Sequence, residues 1–136
     1  MAHDAQGRIP AQTFITQFVT GKIDNGNVTK LVQEPILRPV RLAKGKDDLY
    51  YTPDWHRASR VEAALIFMTG KISEKKCDRC AKNLRPFASC VVSDVAGRGA
   101  CANCHSDSRG AHCSLRHEAA QAGGKSSMWR FIASFY

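Results

Sequence analysis

The sequence predicts a small α+β fold, and three stretches carry that expectation. Six cysteines are confined to residues 77–113, a capped apolar segment precedes them, and an Asn-Gly dipeptide lies nearer the start. The cysteines follow the order C-x2-C-x9-C-x10-C-x2-C-x8-C. Each Cys-x-x-Cys pair, Cys77/Cys80 and Cys101/Cys104, lets one short turn present two sulfurs to a tetrahedral ion, and Cys90 and Cys113 each follow a pair after a longer loop. Zinc suits such a set because structural sites hold it with four thiolates and it brings no redox chemistry. Cys77, Cys80, Cys90, Cys101, Cys104 and Cys113 are therefore the candidate ligands, with two zinc ions per chain favoured over one. The expected architecture is a zinc-stabilised six-cysteine module with one preceding amphipathic helix and an N-terminal β-ribbon.

Length allows one small domain with extensions. The expected division is an N-terminal extension with a β-hairpin over residues 1–52, helix plus six-cysteine module over 53–117, and a linker with an aromatic tail over 118–136. The longest apolar run, residues 63–68, is far short of the roughly 20 residues a membrane helix requires, so a membrane partner is not expected. The first residues have neither the basic flank nor the apolar segment of a secretory signal. A reducing, intracellular setting follows as an expectation, and the formal charge of +8 points to the nucleus and to a polyanionic partner. That charge is spread along the chain. Residues 77–117 hold six basic and three acidic side chains, and zinc-thiolate groups would add about −2, leaving the segment only weakly positive.

Taken in order, residues 1–9 are polar, and structure is expected from Ile9-Pro10 onward. Phe14, Ile15, Phe18 and Val19 recur at helical spacing, while Thr13, Thr16 and Thr20 fit a strand as well; both readings stay open. Asn25-Gly26 favours a type I′ turn, which predicts a short antiparallel ribbon over residues 22–29. Pro35 and Pro39 keep the next stretch extended, and Arg38, Arg41, Lys44 and Lys46 line it as a solvated linker or a contact for an acidic surface. Thr52-Pro53-Asp54 reads as the capped start of a helix that Gly70 ends. Val61, Ala64, Leu65 and Met68 form its apolar stripe, which Trp55 widens. This stripe packs as core or serves a protein partner or second copy. Gly123-Gly124 marks a linker, beyond which Trp129, Phe131 and Phe135 offer a further apolar contact.

The six-cysteine order resembles the binuclear zinc-cluster DNA-binding domain of fungal transcription factors, in which the first and fourth cysteines bridge two zinc ions. The resemblance implies Cys77 and Cys101 as bridges, Cys80 and Cys90 completing one ion, and Cys104 and Cys113 the other. The first loop is longer here and has only Lys82 and Arg85 in place of that family's basic run, and the middle-loop proline is absent, Pro86 lying in the first loop. A wider match runs through Arg60-Val-Glu-Ala-Ala-Leu-Ile-Phe67-Met-Thr-Gly70, Cys77-Asp-Arg-Cys80, Pro86-Phe-Ala-Ser-Cys90 and Gly99-Ala-Cys-Ala-Asn-Cys-His105 to Cys113-Ser-Leu-Arg116. It is similar to an uncharacterised fungal family of cysteine-rich domains. What this implies is an intracellular zinc-binding domain with no agreed activity.

His105, His112 and His117 lie close to cysteines in the sequence and are alternative ligands, so separate Cys₃His or Cys₄ sites remain open. Cys101-x-x-Cys104-His105 also fits haem attachment, but that would leave four cysteines unexplained. No nucleophile with its base and no Gly-rich phosphate loop appears, so no enzyme is expected. Two functions stand: a protein-interaction module of a nuclear or chromatin assembly with weak nucleic-acid contact, and a sequence-specific DNA-binding regulator. For DNA, phosphate contacts would fall to Arg38, Arg41, Lys44, Lys46, Lys82, Arg85 and Arg98.

Overall fold

An apolar helix is stable in water only if other elements cover it, and helix α3, Ala58–Thr69, is covered along its central two turns. All eight residues from Val61 to Met68 are buried. The structure, a computed structural model, describes residues 3–45, 47–83 and 86–116. In chain order these form β1 (Arg8–Ile9), α1 (Ala11–Phe14) running into a π-helical turn (Ile15–Val19), α2 (Gly26–Leu31), β2 (Val40–Arg41), α3, β3 (Lys71–Ile72), α4 (Asp78–Ala81), β4 (Val91–Val92) and α5 (Ala102–Ser106), with 3₁₀ turns at Gly97–Gly99 and Gly110–His112. Two small antiparallel sheets result. β1 pairs with β2, placing Ile9 opposite Val40, and β3 pairs with β4, placing Ile72 opposite Val91.

The N-terminal ribbon is thus β1 with β2, and not a hairpin at Asn25-Gly26. Asn25 instead caps α2: its backbone is extended (φ −140°), and its side chain accepts a hydrogen bond from the Val28 amide at 2.9 Å. The same residue type serves a helix N-cap as readily as a type I′ turn. Burial of Val28 and Leu31, three residues apart against α3, decides in favour of the helix. Between Pro10 and Thr20 the helical reading holds, with Phe14 and Val19 inward.

The start of α3 also differs from expectation. Asp54 closes a local turn on the His56 amide at 3.0 Å, so the helix begins at Ala58 with Arg57 as N-cap and no side-chain cap. Trp55 lies in the preceding turn. It joins an aromatic cluster, 4.8 Å from Phe14, 5.9 Å from Phe18 and 6.4 Å from Phe87, while Phe87 stacks on Phe67 at 5.3 Å. Full burial of each large apolar side chain contributes roughly 1.5–3 kcal/mol. One hydrophobic cluster takes in Ile9, Phe14, Leu31, Val40 and Leu42 together with α3, Phe87 and Val91, so the core crosses the expected boundary at residue 52. The backbone does too: Ala43 N donates to Pro86 O at 2.8 Å and Ala88 N to Arg41 O at 2.9 Å.

Val61, Leu65 and Met68, expected as a possible partner surface, are interior, with at most 1% of their area exposed. A helix clad all round its central turns has no face left to offer there. Among the described residues no helix is long and apolar enough to cross a membrane.

Gly70 ends α3 where the backbone is crowded. A Cβ there would lie 2.7 Å from the Ile66 carbonyl oxygen and 2.9 Å from Val91 Cγ1. Gly70→Ala is expected to lower stability by about 1–3 kcal/mol through overpacking against backbone that cannot yield; a urea midpoint equal to wild type would disprove the close approach.

Candidate metal centre

Each half of the cysteine module starts a short helix with a sulfur. Cys77 precedes α4 and its Sγ accepts from Cys80 N at 3.4 Å; Cys101 precedes α5, and its own amide donates to Cys113 Sγ at 3.4 Å. One helical turn then returns Cys80 and Cys104 to the same side as the residue that opened it. Strand β4 carries the chain from Cys90 back toward Cys101, which bridges Val92. All six sulfurs meet in a second cluster beside the hydrophobic core, with Ala100, Val92 and Leu115 against them.

The cluster divides into two groups of four. Cys77, Cys80, Cys90 and Cys101 form one, Cys77, Cys101, Cys104 and Cys113 the other, and within each group the sulfurs lie within 4.8 Å of one another. Cys77 and Cys101 belong to both. Sulfur separations are 3.7 Å for Cys77–Cys101, 3.8 Å for Cys77–Cys104 and 3.7 Å for Cys80–Cys101. A tetrahedron of four thiolates around zinc at about 2.3 Å has an edge of about 3.8 Å, so these spacings fit a metal–thiolate site. They are far longer than the roughly 2.05 Å of a disulfide. The donor set is therefore right for a soft or borderline cation in number, type and spacing.

The thiols also divide electrostatically. Cys101 is pushed well above the ordinary thiol range, first by hydrogen bonding with Cys104 and then with Cys113, Cys80 and Cys90, with burial adding to it. Cys90 is lowered to about 4 because Cys101, then Cys80, donates to it, and Cys113 falls further through Cys101 and Cys104. Burial raises Cys77. Buried thiols this close together cannot all ionise unaided, and a cation in each group would offset the thiolate charge.

Asn103 holds the arrangement from behind. It is fully buried inside α5, not in a positive-φ turn. Its Nδ2 donates to Cys80 Sγ at 3.2 Å and to Ser89 O at 3.3 Å, while Oδ1 accepts from Phe87 N at 2.8 Å. One amide thus ties a sulfur of one Cys pair to the helix of the other and to the loop leading to Cys90. From the sequence, its place between Cys101 and Cys104 suits a turn with positive φ, and nothing there marks it as a donor to sulfur.

Histidines do not join the sulfur groups among the described residues. His105 turns toward α3, its Nε2 2.8 Å from Glu62 Oε1. Glu62, 8% exposed, also accepts from Asn25 Nδ2 at 2.8 Å and Asn27 Nδ2 at 3.1 Å. The bond with His105 is the main cause that holds the Glu62 carboxyl below its ordinary range, against the opposing effect of burial. His112 is exposed on a 3₁₀ turn, and His117 lies outside the described residues. His105 is thus committed to a buried carboxylate that the apolar pattern of α3 concealed.

The basic residues expected to meet phosphate are scattered. Arg38 is half-buried, donates to the Phe67 and Gly70 carbonyls and lies over the Phe67 ring, so it closes the end of α3. Lys44 pairs with Asp48 at 3.4 Å and lies over the Tyr50 ring. Arg41, Lys82 and Arg98 are exposed on β2, after α4 and in the Gly97–Gly99 turn. Lys46, Arg85, Trp129, Phe131 and Phe135 lie outside the described residues.

Residues 63–116 match the model of a family described as a protein of unknown function, DUF3716. The matched stretch is less than half of the chain and contains all six cysteines, Asn103 and His105. Comparison with curated proteins and with solved structures yields no match.

Asn103→Ala is expected to reduce metal affinity by about 10- to 100-fold, the usual effect of losing a residue that orients a ligand. Competition with a chromogenic chelator measures it, and an unchanged affinity would remove Asn103 from the site.

Proposed function

We propose that the chain is a non-catalytic protein-interaction module held together by two zinc ions in one six-sulfur cluster. The carrying observation is the pair of four-sulfur groups that share Cys77 and Cys101. Cys80 and Cys90 complete one ion and Cys104 and Cys113 the other, with every ligand buried. No position is left open for substrate, which is the mark of a structural site. When bound, zinc supplies charge compensation and fixed tetrahedral geometry. Free thiols in all six positions accord with a reducing, intracellular compartment, and we assign the nucleus on the overall charge of +8.

The interaction reading rests on exposed apolar side chains around the C-terminal end of α3. Ile36 (47% exposed), Leu37 (60%) and Ile72 (50%) lie on segments joined there, since Leu37 N donates to Met68 O and Arg38 to Gly70 O. Contiguous exposed apolar groups mark contact surfaces. Nucleic-acid contact is secondary: Arg38 and Lys44 are engaged within the fold, and phosphate binding through the remaining scattered cations is expected to be weak and sequence-tolerant.

Metal counting by native mass spectrometry tests the shared ligands. Wild type is expected to carry two zinc ions; Cys90→Ser and Cys113→Ser each should disturb one site, and Cys77→Ser and Cys101→Ser both. A single ion in wild type, or equal loss from all four variants, would overturn the two-ion arrangement. For the contact, Leu37→Ser with Ile72→Ser is expected to abolish partner recovery from nuclear extract at unchanged zinc content, whereas a single strong motif from random-duplex selection would favour the DNA-binding regulator.

A further inference from the structure

Two of the buried polar atoms without a hydrogen-bond partner belong to residues that line one pocket. Among the described residues three such side-chain atoms occur, Gln17 Oε1, Arg79 Nε and Ser106 Oγ. The last two both line a pocket of about 350 Å³ on the outer side of the cysteine module. Ser106 is only 2% exposed. Buried donors are paired in nearly all folded proteins, so two orphans in the wall of one cavity mark it as a place for a partner.

The lining has a charged and polar part and an apolar part. Arg79, between Cys77 and Cys80, uses Nη2 to reach Asp107 Oδ2 at 2.8 Å and leaves Nε uncommitted. Arg60 of α3 adds a second guanidinium, for which no side-chain partner is found among the described residues. Asp107 is the one acidic residue in the lining, so the pocket retains net positive charge after it pairs with Arg79. A hydroxyl and two guanidinium groups converge as donors, the chemistry that holds phosphate oxygens. Tyr51, Pro53 and Pro86 supply apolar surface to the lining. The volume falls near the lower end of the roughly 300–1,000 Å³ typical of small-molecule sites, more room than a bare anion needs.

We propose that this pocket binds a phosphate monoester carried on a planar ring, of the mononucleotide class. Arg60, Arg79 and Ser106 take the phosphate, and the ring lies against Tyr51 and the two prolines. The walls come from α3, α4 and α5, two of which begin at metal-ligand cysteines, so the sulfur cluster sets the pocket's shape without touching the ligand. The site is independent of the protein contact proposed at the other end of α3.

Titration of the full-length, zinc-replete chain with adenosine monophosphate, inorganic phosphate and adenosine, followed by amide NMR, tests the proposal. Adenosine monophosphate is expected to shift the amides of Tyr51, Arg60, Arg79 and Ser106 and to bind at least about tenfold more tightly than either fragment, because both parts of the lining contribute. Arg60→Gln and Ser106→Ala should each weaken it by roughly tenfold, the usual effect of losing one charge-assisted or buried hydrogen bond. Ser106→Ala should do so with no loss of unliganded stability, since its hydroxyl has no partner there; a purely structural serine would behave the opposite way. Both variants are checked for unchanged zinc content and amide dispersion. Absence of shifts at these residues, equal binding of phosphate and the nucleotide, or unchanged affinity in both variants would overturn it, the last two leaving an adventitious ion only.

Discussion

Six buried sulfurs in two groups that share Cys77 and Cys101, each group within 4.8 Å, form the constraint on which the rest of the module depends. Either protons or cations must neutralise them, because uncompensated buried thiolates are too costly to persist. Cys101, placed against four neighbours, concentrates that demand. The residues from β3 onward have few large buried apolar side chains among those described, chiefly Phe87 and Val91. Their burial is worth only a few kcal/mol, whereas structural zinc contributes on the order of 10–16 kcal/mol in small thiolate peptides. With zinc bound as proposed, metal–sulfur bonds would outweigh packing in this half, and α4 and α5, too short to be stable alone, form where cysteines anchor them.

The other half obeys ordinary core packing, and α3 belongs to both. Its apolar side chains meet α2 and the Phe14–Phe87 aromatic cluster, while its opposite side meets α5. At the junction sits Glu62, whose carboxylate binds Asn25 and Asn27 from the N-terminal segment and His105 from the cysteine module. A charged group in so buried a place is tolerable only with several hydrogen bonds, and the three it receives come from both halves. Glu62 thereby makes the relative placement of the halves specific, where apolar contacts alone would allow sliding.

This division accounts for where several of the basic side chains are used. Arg38 closes the end of α3, Arg79 serves Asp107, and Lys44 pairs locally. Charges engaged in this way have little left for phosphate at long range. Two pockets gather basic side chains, Lys30, Arg98 and Arg116 in one and Arg60 and Arg79 in the other, the second on a scale suited to a small ligand.

From the residues alone, the sulfur set and its pairing were legible, because Cys-x-x-Cys spacing constrains geometry within one turn whatever the rest of the chain does. The end of α3 at Gly70 was legible for the same local reason, whereas the N-terminal ribbon joins segments far apart in the chain, Arg8–Ile9 with Val40–Arg41, and not the hairpin expected over residues 22–29. Tertiary structure decided the rest. Asn25-Gly26 suits a turn and a helix cap alike, and only the burial of Val28 and Leu31 on α3 selects the cap. The stripe of Val61, Leu65 and Met68 reads as one apolar face, yet Ala63, Ile66 and Phe67 are buried as well, which makes the helix central and leaves no partner surface. His105 lies next to Cys104 in the chain but turns toward Glu62, 43 residues earlier. Asn103 and Ser106 are unremarkable letters in a short helix until distant loops either meet them or fail to. Local spacing fixes which atoms can share an ion, but which buried polar atoms find partners depends on contacts between remote segments, and no local pattern encodes those.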